Sequence, residues 1–292
     1  MKWQLGRRSE NVEDRRGQGM GGGGGMRLGL GGIVIVVIIA FVTGRNPLEL
    51  LGLLGQPDTA GTVQTQSGAA EPGAAPAGDQ DARFVSTILG STEDVWGKIF
   101  QESGKTYSAP KLVLFSGAVA SACGRATSSA GPFYCPGDQQ VYLDTSFFDE
   151  MKAQLGGGGD FAQAYVIAHE VGHHIQTLTG VSDKVNALRA RGESMEGDNG
   201  LSVRMELQAD CYAGVWANLA QKQYQWLEAG DIEEALNTAT AIGDDRLQKQ
   251  SSGTVVPDSF THGTSAQRVR WFRSGFDGGD VGRCDTFKAP QL

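Results

Sequence analysis

The chain has 292 residues and a formal net charge of −8, a length that suits one substantial domain with appendages. Of its 25 Lys/Arg and 33 Asp/Glu, seven and three fall in residues 1–45, leaving 18 basic and 30 acidic residues, a net −12, for the remainder. So acidic a body argues against nucleic acid as a partner, because phosphate binding needs clustered Lys and Arg. The cysteines at 123, 135, 211 and 284 show no Cys-x-x-Cys spacing, which speaks against a zinc-ribbon or thioredoxin-like motif. An even count suits two disulfides in an oxidising compartment. Cys123 and Cys135 bracket a loop of small residues and form the expected pair, which leaves Cys211 for Cys284.

Residues 1–27 are polar, basic and glycine-rich, and are expected to be a disordered tail. The run Gly21 to Gly25 is not a phosphate loop, since no Gly-Lys-Ser/Thr follows it. Residues 28–44 are 17 residues without a charge, centred on ten consecutive apolar positions from Ile33 to Val42. A bilayer span needs ~20 residues, with ~17 as the lower limit, and Arg27 and Arg45 can snorkel to the interfaces. The charged region ahead is long for a signal peptide, and Thr43-Gly44-Arg45 offers no cleavage signal, so one uncleaved transmembrane helix is expected. The basic residues before it predict a cytoplasmic N-terminus, with everything after it outside. Residues 45–80 read as a membrane-proximal segment, with Leu48 to Leu54 at the membrane surface, and a linker from Gln56 to about Gln80 that is rich in Ala, Gly, Pro, Thr and Gln and has too little apolar content to pack.

The folded domain is expected over residues 81–292. Asp81 to Ser103 carries an apolar stripe of Phe84, Ile88, Val95, Ile99 and Phe100 and predicts a helix. Lys111 to Ser116 reads as a strand, Gly117 to Pro132 as a loop, and Phe133–Cys135 with Gln140–Asp144 as a hairpin across a Pro-Gly-Asp turn. Phe147 to Leu155 predicts a short helix leading into the glycine loop 156–159. A long helix then follows, for which Asp160 and Gln163 resemble a capping box.

That helix holds His-Glu-Val-Gly-His at 169–173. Positions i and i+4 lie one above the other, so His169 and His173 can share one metal ion, while Glu170 projects elsewhere and can reach a water as general base. Ile167, Val171, Ile175 and Leu178 form the opposite, buried stripe. A catalytic zinc site needs a third protein ligand and an open position. Gln176 and Thr179 stand where the metzincin pattern requires Gly and His, which excludes that class.

A second predicted helix, Ser202 to Gln221, places Glu206 and Asp210 on one face. Glu206 can serve as the third ligand and Asp210 can accept the N–H of a ligand histidine. Glu193, Glu196 and Asp198 are rival ligands in a glycine-rich polar loop that would position them poorly. Asp231 to Gln248 reads as one structural helix with a solvated acidic face, and Val269, Trp271, Phe272 and Phe276 belong to a last helix ending at Gly278. His262, just before that helix, is either a structural hydrogen-bonder or a catalytic donor to an oxyanion. His174 points away from the ligands and has no assigned role.

These pieces resemble the bacterial family of putative neutral zinc metallopeptidases. The matching segments are Ser-Ala-Cys-Gly at 121–124, Gly-Pro-Phe-Tyr-Cys-Pro at 131–136, Val-Tyr-Leu-Asp at 141–144 and Ala-His-Glu-Val-Gly-His-His at 168–174. Glu-Leu-Gln-Ala-Asp at 206–210 and Thr-His-Gly-Thr-Ser-Ala-Gln-Arg at 261–268 complete the set. The Glu-x-x-x-Asp segment is also similar to that of the gluzincins. The resemblance implies one zinc ion on His169, His173 and Glu206, with Glu170 as base and Asp210 behind a histidine. It implies a mostly helical, zincin-like α+β domain with a small antiparallel sheet, tethered to a bacterial inner membrane by its single N-terminal helix. The substrate would be a protein or peptide outside the cytoplasm, added as a strand beside Ser116–Ser121 or the hairpin. The alternatives are a non-catalytic zinc domain that binds an envelope partner, which has no need of Glu170, and a zinc hydrolase of non-peptide bonds.

Overall fold

A computed structural model describes residues 1–17, 79–154 and 159–292. These residues belong to one unit, and the apolar run at 28–44, with the linker as far as residue 78, lies outside them. Among the described residues no helix is long and apolar enough to cross a membrane.

The sheet comes from short apolar runs. Strands β1 (Val12–Asp14), β2 (Lys111–Phe115), β5 (Phe133–Cys135) and β6 (Gln140–Asp144) form a four-stranded sheet in the order β1-β2-β6-β5. The expected hairpin is β5–β6, antiparallel across a turn in which Gln139 adopts a positive φ of 56°. The expected wholly antiparallel sheet is corrected, since β2 runs parallel to both β1 and β6. Residues 116–139 between β2 and β6 form an excursion long enough to bring the chain back in the same direction. Within that excursion, read from sequence as a loop, β3 (Ala118–Ser121) and β4 (Gly124–Thr127) pair as a separate hairpin. Its tip is tied to β5 by the Cys123–Cys135 disulfide. Leu112 and Leu114 bury toward the helices, whereas Val113 and Phe115 bury on the other face beside Val119 and Tyr142.

The helices form the larger layer. Helix α1 (Gln80–Glu102) starts at Asp79, whose side chain accepts the Ala82 amide at 3.0 Å, and buries Phe84, Ile88, Val95 and Trp96. After the short α2 (Ser146–Gln154), α3 (Asp160–Leu178) packs against α1, against α5 (Leu201–Tyr224) and against α6 (Asp231–Ala241). Its expected capping box does not form: Gly159 is the cap, and the Asp160 carboxylate instead accepts the Trp3 indole N–H at 2.9 Å. Helix α4 (Val181–Ala190) fills a stretch for which no element was expected.

The single helix expected over 231–248 is two helices, α6 and α7 (Asp244–Ser252), broken at Gly243. There a Cβ would collide with the backbone of Ser265, and the break leaves Asp244 free to face the 261–263 loop. The last helix, α8 (Ser265–Gly278), starts with a complete capping box between Thr264 and Gln267 and lies along α5. The Cys211–Cys284 disulfide joins α5 to the C-terminal segment.

The expectation of a disordered tail is overturned for residues 1–17. Trp3 is buried edge-on against Phe84, with ring centroids 5.3 Å apart, and β1 occupies an edge of the sheet. The stretch has few apolar residues, so its polarity hid the fact that it binds through one indole, its own backbone and ion pairs of Lys2, Arg7 and Arg16. Burying a side chain of that size contributes roughly 3 kcal/mol.

Candidate metal centre

Helices α3 and α5 cross closely because neither carries bulk at the crossing. A Cβ on Gly172 would stand 3.0 Å from the Ala209 Cα and carbonyl oxygen, so a larger residue there would press the two helices apart. The close approach brings His169 and His173 opposite Glu206. His169 Nε2 lies 3.1 Å from Glu206 Oε2 and His173 Nε2 lies 3.3 Å from Oε1, and one donor atom from each of the three residues falls within 4.8 Å of the others.

Both imidazoles are held from behind. His169 Nδ1 donates to Asp210 Oδ1 at 2.8 Å, as the Glu-x-x-x-Asp spacing predicts. His173 Nδ1 donates to Gln176 Oε1 at 2.9 Å, and Gln176 in turn donates to the Met205 carbonyl and to Gln208. With each Nδ1 engaged from behind, each Nε2 is turned toward Glu206. Two imidazole nitrogens and one carboxylate in this orientation fit a divalent zinc ion. Glu193, Glu196 and Asp198 do not join this group.

Asp210 is itself embedded. It accepts Tyr165 Oη–H at 2.5 Å and two N–H groups of Arg268 at 2.9 Å each, and all three side chains are buried. Burial opposes its charge, yet Arg268 and His169 outweigh burial and lower the Asp210 carboxyl to about 2. Burial likewise pushes His169 down, but Asp210 and Glu206 prevail and raise it to about 10. Glu206 is lowered against its burial by His173 and His169. Carboxylates that so favour a proton on these rings would equally favour a cation on the same nitrogens.

Glu170 is buried at the edge of a cavity of about 530 Å³ that also exposes His169, His173, Glu206 and His262. Burial raises its pKa, opposed by His169 and His173. His262 reaches the same cavity from the loop before α8, its side chain 51% exposed, with Nδ1 3.1 Å from Asp244 Oδ1. The apolar wall includes Phe133, Phe147, Val166 and Leu247. Strand β5 is the sheet edge that lines the cavity, whereas Ser116 to Ser121, the other expected docking edge, does not reach it. His174 lies in the interior between Ser108 and Tyr134 and joins α3 to the strands.

Sequence reading missed Gln176, Arg268, Tyr165 and Asp244. Gln176 had a signal, being one helical turn after His173. Arg268 and Tyr165 had none that spacing alone could supply. Asp244 was hidden in a run of acids that looked solvated.

The chain is 54% identical over 292 residues to the uncharacterized protein YpfJ of Escherichia coli K12, covering 98% of this chain and 99% of that one. It is 44% identical over 220 residues to the uncharacterized protein Rv2575 of Mycobacterium tuberculosis H37Rv, covering 72% of this chain and 73% of that one. No solved structure matches. Residues 1–287 match the family described as "Putative neutral zinc metallopeptidase", and the chain belongs to that family.

Proposed function

We propose that this chain is a zinc-dependent peptidase that hydrolyses peptide bonds with Glu170 as general base. The observation that carries the reading is the placement of Glu170. It is buried beside the two histidines yet opens on the cavity, and a purely structural zinc site has no use for such a group. Zinc, when held by His169, His173 and Glu206, supplies a Lewis acid toward a water and the scissile carbonyl. Burial keeps the Glu170 carboxyl above its ordinary pKa and hence closer to the value an efficient base needs. Glu170 takes a proton from the attacking water and delivers it to the departing amine as the C–N bond breaks.

His262, oriented by Asp244, donates a hydrogen bond to the oxygen on which negative charge develops. An extended peptide lies along β5, where backbone pairing sets its direction and the apolar wall accepts its side chains. The domain works outside the cytoplasm of a bacterial cell, and its substrates are proteins or peptides there.

The test is metal analysis of the purified full chain together with cleavage of a peptide library, wild type against Glu170→Gln. The variant keeps its zinc and loses turnover by about 10²–10⁴-fold, the usual contribution of a positioned acid–base group. Zinc-free wild-type protein, or a variant that cleaves normally, refutes the reading. Zinc without cleavage by the wild type would favour the non-catalytic envelope domain.

A further inference from the structure

We infer that residues 1–17 and the domain from residue 79 onward lie in one compartment. The charge pattern alone points to a single crossing at 28–44, with the N-terminus in the cytoplasm and the domain outside. The packing of the two segments is incompatible with that arrangement. Strand β1 pairs with β2 at Val12–Leu112, Glu13–Val113 and Asp14–Leu114, and paired strands sit ~4.8 Å apart. A single crossing would place ~30 Å of hydrocarbon between them.

The contact runs along the whole segment. The Lys2 amide donates to the Trp226 carbonyl, the Ser9 amide to the Ser86 carbonyl, and Ser86 Oγ back to the Ser9 carbonyl. Arg16 Nη2 meets Asp79 Oδ2 at 2.5 Å, so the two ends of the intervening stretch are held together.

The domain's own sequence is cut to receive this segment. Gly90 lies in the interior of α1, where a glycine destabilises a helix. A Cβ there would stand 2.6 Å from the Arg7 carbonyl oxygen and 3.1 Å from the Ser9 amide, so the missing side chain is the space the N-terminal backbone fills. The indole of Trp3 likewise occupies the first-turn carboxylate of α3.

The basic residues that predict a cytoplasmic tail also have another role. Arg7 pairs with Glu93 and Asp94, Arg16 with Asp14 and Asp79, Arg15 with Glu13, and Lys2 with Glu228. Four of the seven cations that made up the topology signal are thus spent on acids of the folded unit. The two disulfides assign the shared compartment to the oxidising side of the membrane.

The test uses the full chain in a bacterial host. Its four native cysteines are consumed in the two disulfides, so Lys2→Cys or Lys98→Cys each adds one free thiol on an exposed side chain. Spheroplasts are treated with a membrane-impermeant maleimide before and after lysis. Both positions are expected to label in intact spheroplasts to the same extent as after lysis. Labelling of Lys98→Cys in intact spheroplasts, with Lys2→Cys reached only after lysis, would overturn the proposal. Labelling of both only after lysis would uphold the shared compartment and overturn its placement outside.

Discussion

His262 Nδ1 lies 3.1 Å from Asp244 Oδ1, while the amides of Thr261, His262 and Gly263 all donate to Asp244 Oδ2. One carboxylate therefore fixes both the loop and the ring it carries. If His262 serves the developing oxyanion, His262→Ala lowers kcat by about 10²–10³-fold, the loss typical of a removed oxyanion donor, and leaves the zinc content unchanged. The hydrogen bond that His262 donates to Asp244 raises the His262 pKa above its ordinary value near 6.5. The protonated ring is thus favoured in the folded protein, and its contribution holds at low pH and is lost as pH rises through the raised pKa. Asp244→Asn should move the alkaline limb of the rate profile to lower pH. Wild-type kcat and an unmoved profile in both variants would remove His262 from the mechanism.

Arg268 reaches Asp210 from α8, a helix distant in sequence from both metal-bearing helices. Arg268→Leu leaves the Asp210 carboxylate buried without its counter-ion, an arrangement that costs about 3–5 kcal/mol. Loosening the support of His169 should also weaken zinc binding by about 10–100-fold. Lysine restores little, because an ammonium cannot present the two parallel N–H groups that Asp210 receives. Denaturant midpoints and a zinc competition titration measure the two effects separately. A variant with normal zinc affinity would show that Asp210 positions His169 without help from Arg268.

The local chemistry of the site was legible because it is periodic. His169 and His173 are one turn apart, as are Glu206 and Asp210, so each pair shares a helix face. What tied these pairs to the rest of the molecule was not legible. Arg268 meets Asp210 across 58 residues and Gln176 meets Met205 across 29, and no short-range pattern encodes such contacts. The parallel pairing of β1 with β2 spans about a hundred positions, and its N-terminal partner has almost no apolar residues to announce a strand. The break at Gly243 escaped notice because its cause, the backbone of Ser265, belongs to another helix.

The two disulfides should differ in worth. Cys211 and Cys284 are 73 positions apart and Cys123 and Cys135 are 12 apart. In the chain-entropy account the longer loop contributes about 4 kcal/mol and the shorter about 3 kcal/mol. Replacing Cys211 and Cys284 together by alanine should lower the urea midpoint more than replacing Cys123 and Cys135. The first pair adjoins Asp210, so its loss should also reduce zinc retention, whereas loss of the second should disturb chiefly the β3–β4 hairpin and the peptide edge. Equal destabilisation by the two double variants would contradict the loop-length argument.

Two glycine-to-alanine changes should act with opposite sign. Helices α5 and α8 approach through Gly214 and Gly275: a Cβ on Gly275 would run into the Cys211 carbonyl, and one on Gly214 into the Phe272 carbonyl. Backbone cannot step aside as a flexible side chain can, so the strain of overpacking, about 1–3 kcal/mol, exceeds the gain of about 1 kcal/mol from better helix propensity. Gly275→Ala should therefore destabilise. Because α8 carries Arg268 two turns upstream, it should also weaken zinc binding. Gly97 lies inside α1 with nothing within 4 Å of its would-be Cβ. Gly97→Ala should stabilise by about 0.5–1 kcal/mol and leave zinc affinity alone. Urea unfolding of the two variants beside the wild type decides the matter, and a Gly275→Ala protein as stable as Gly97→Ala would mean that α5 and α8 do not meet as closely as described.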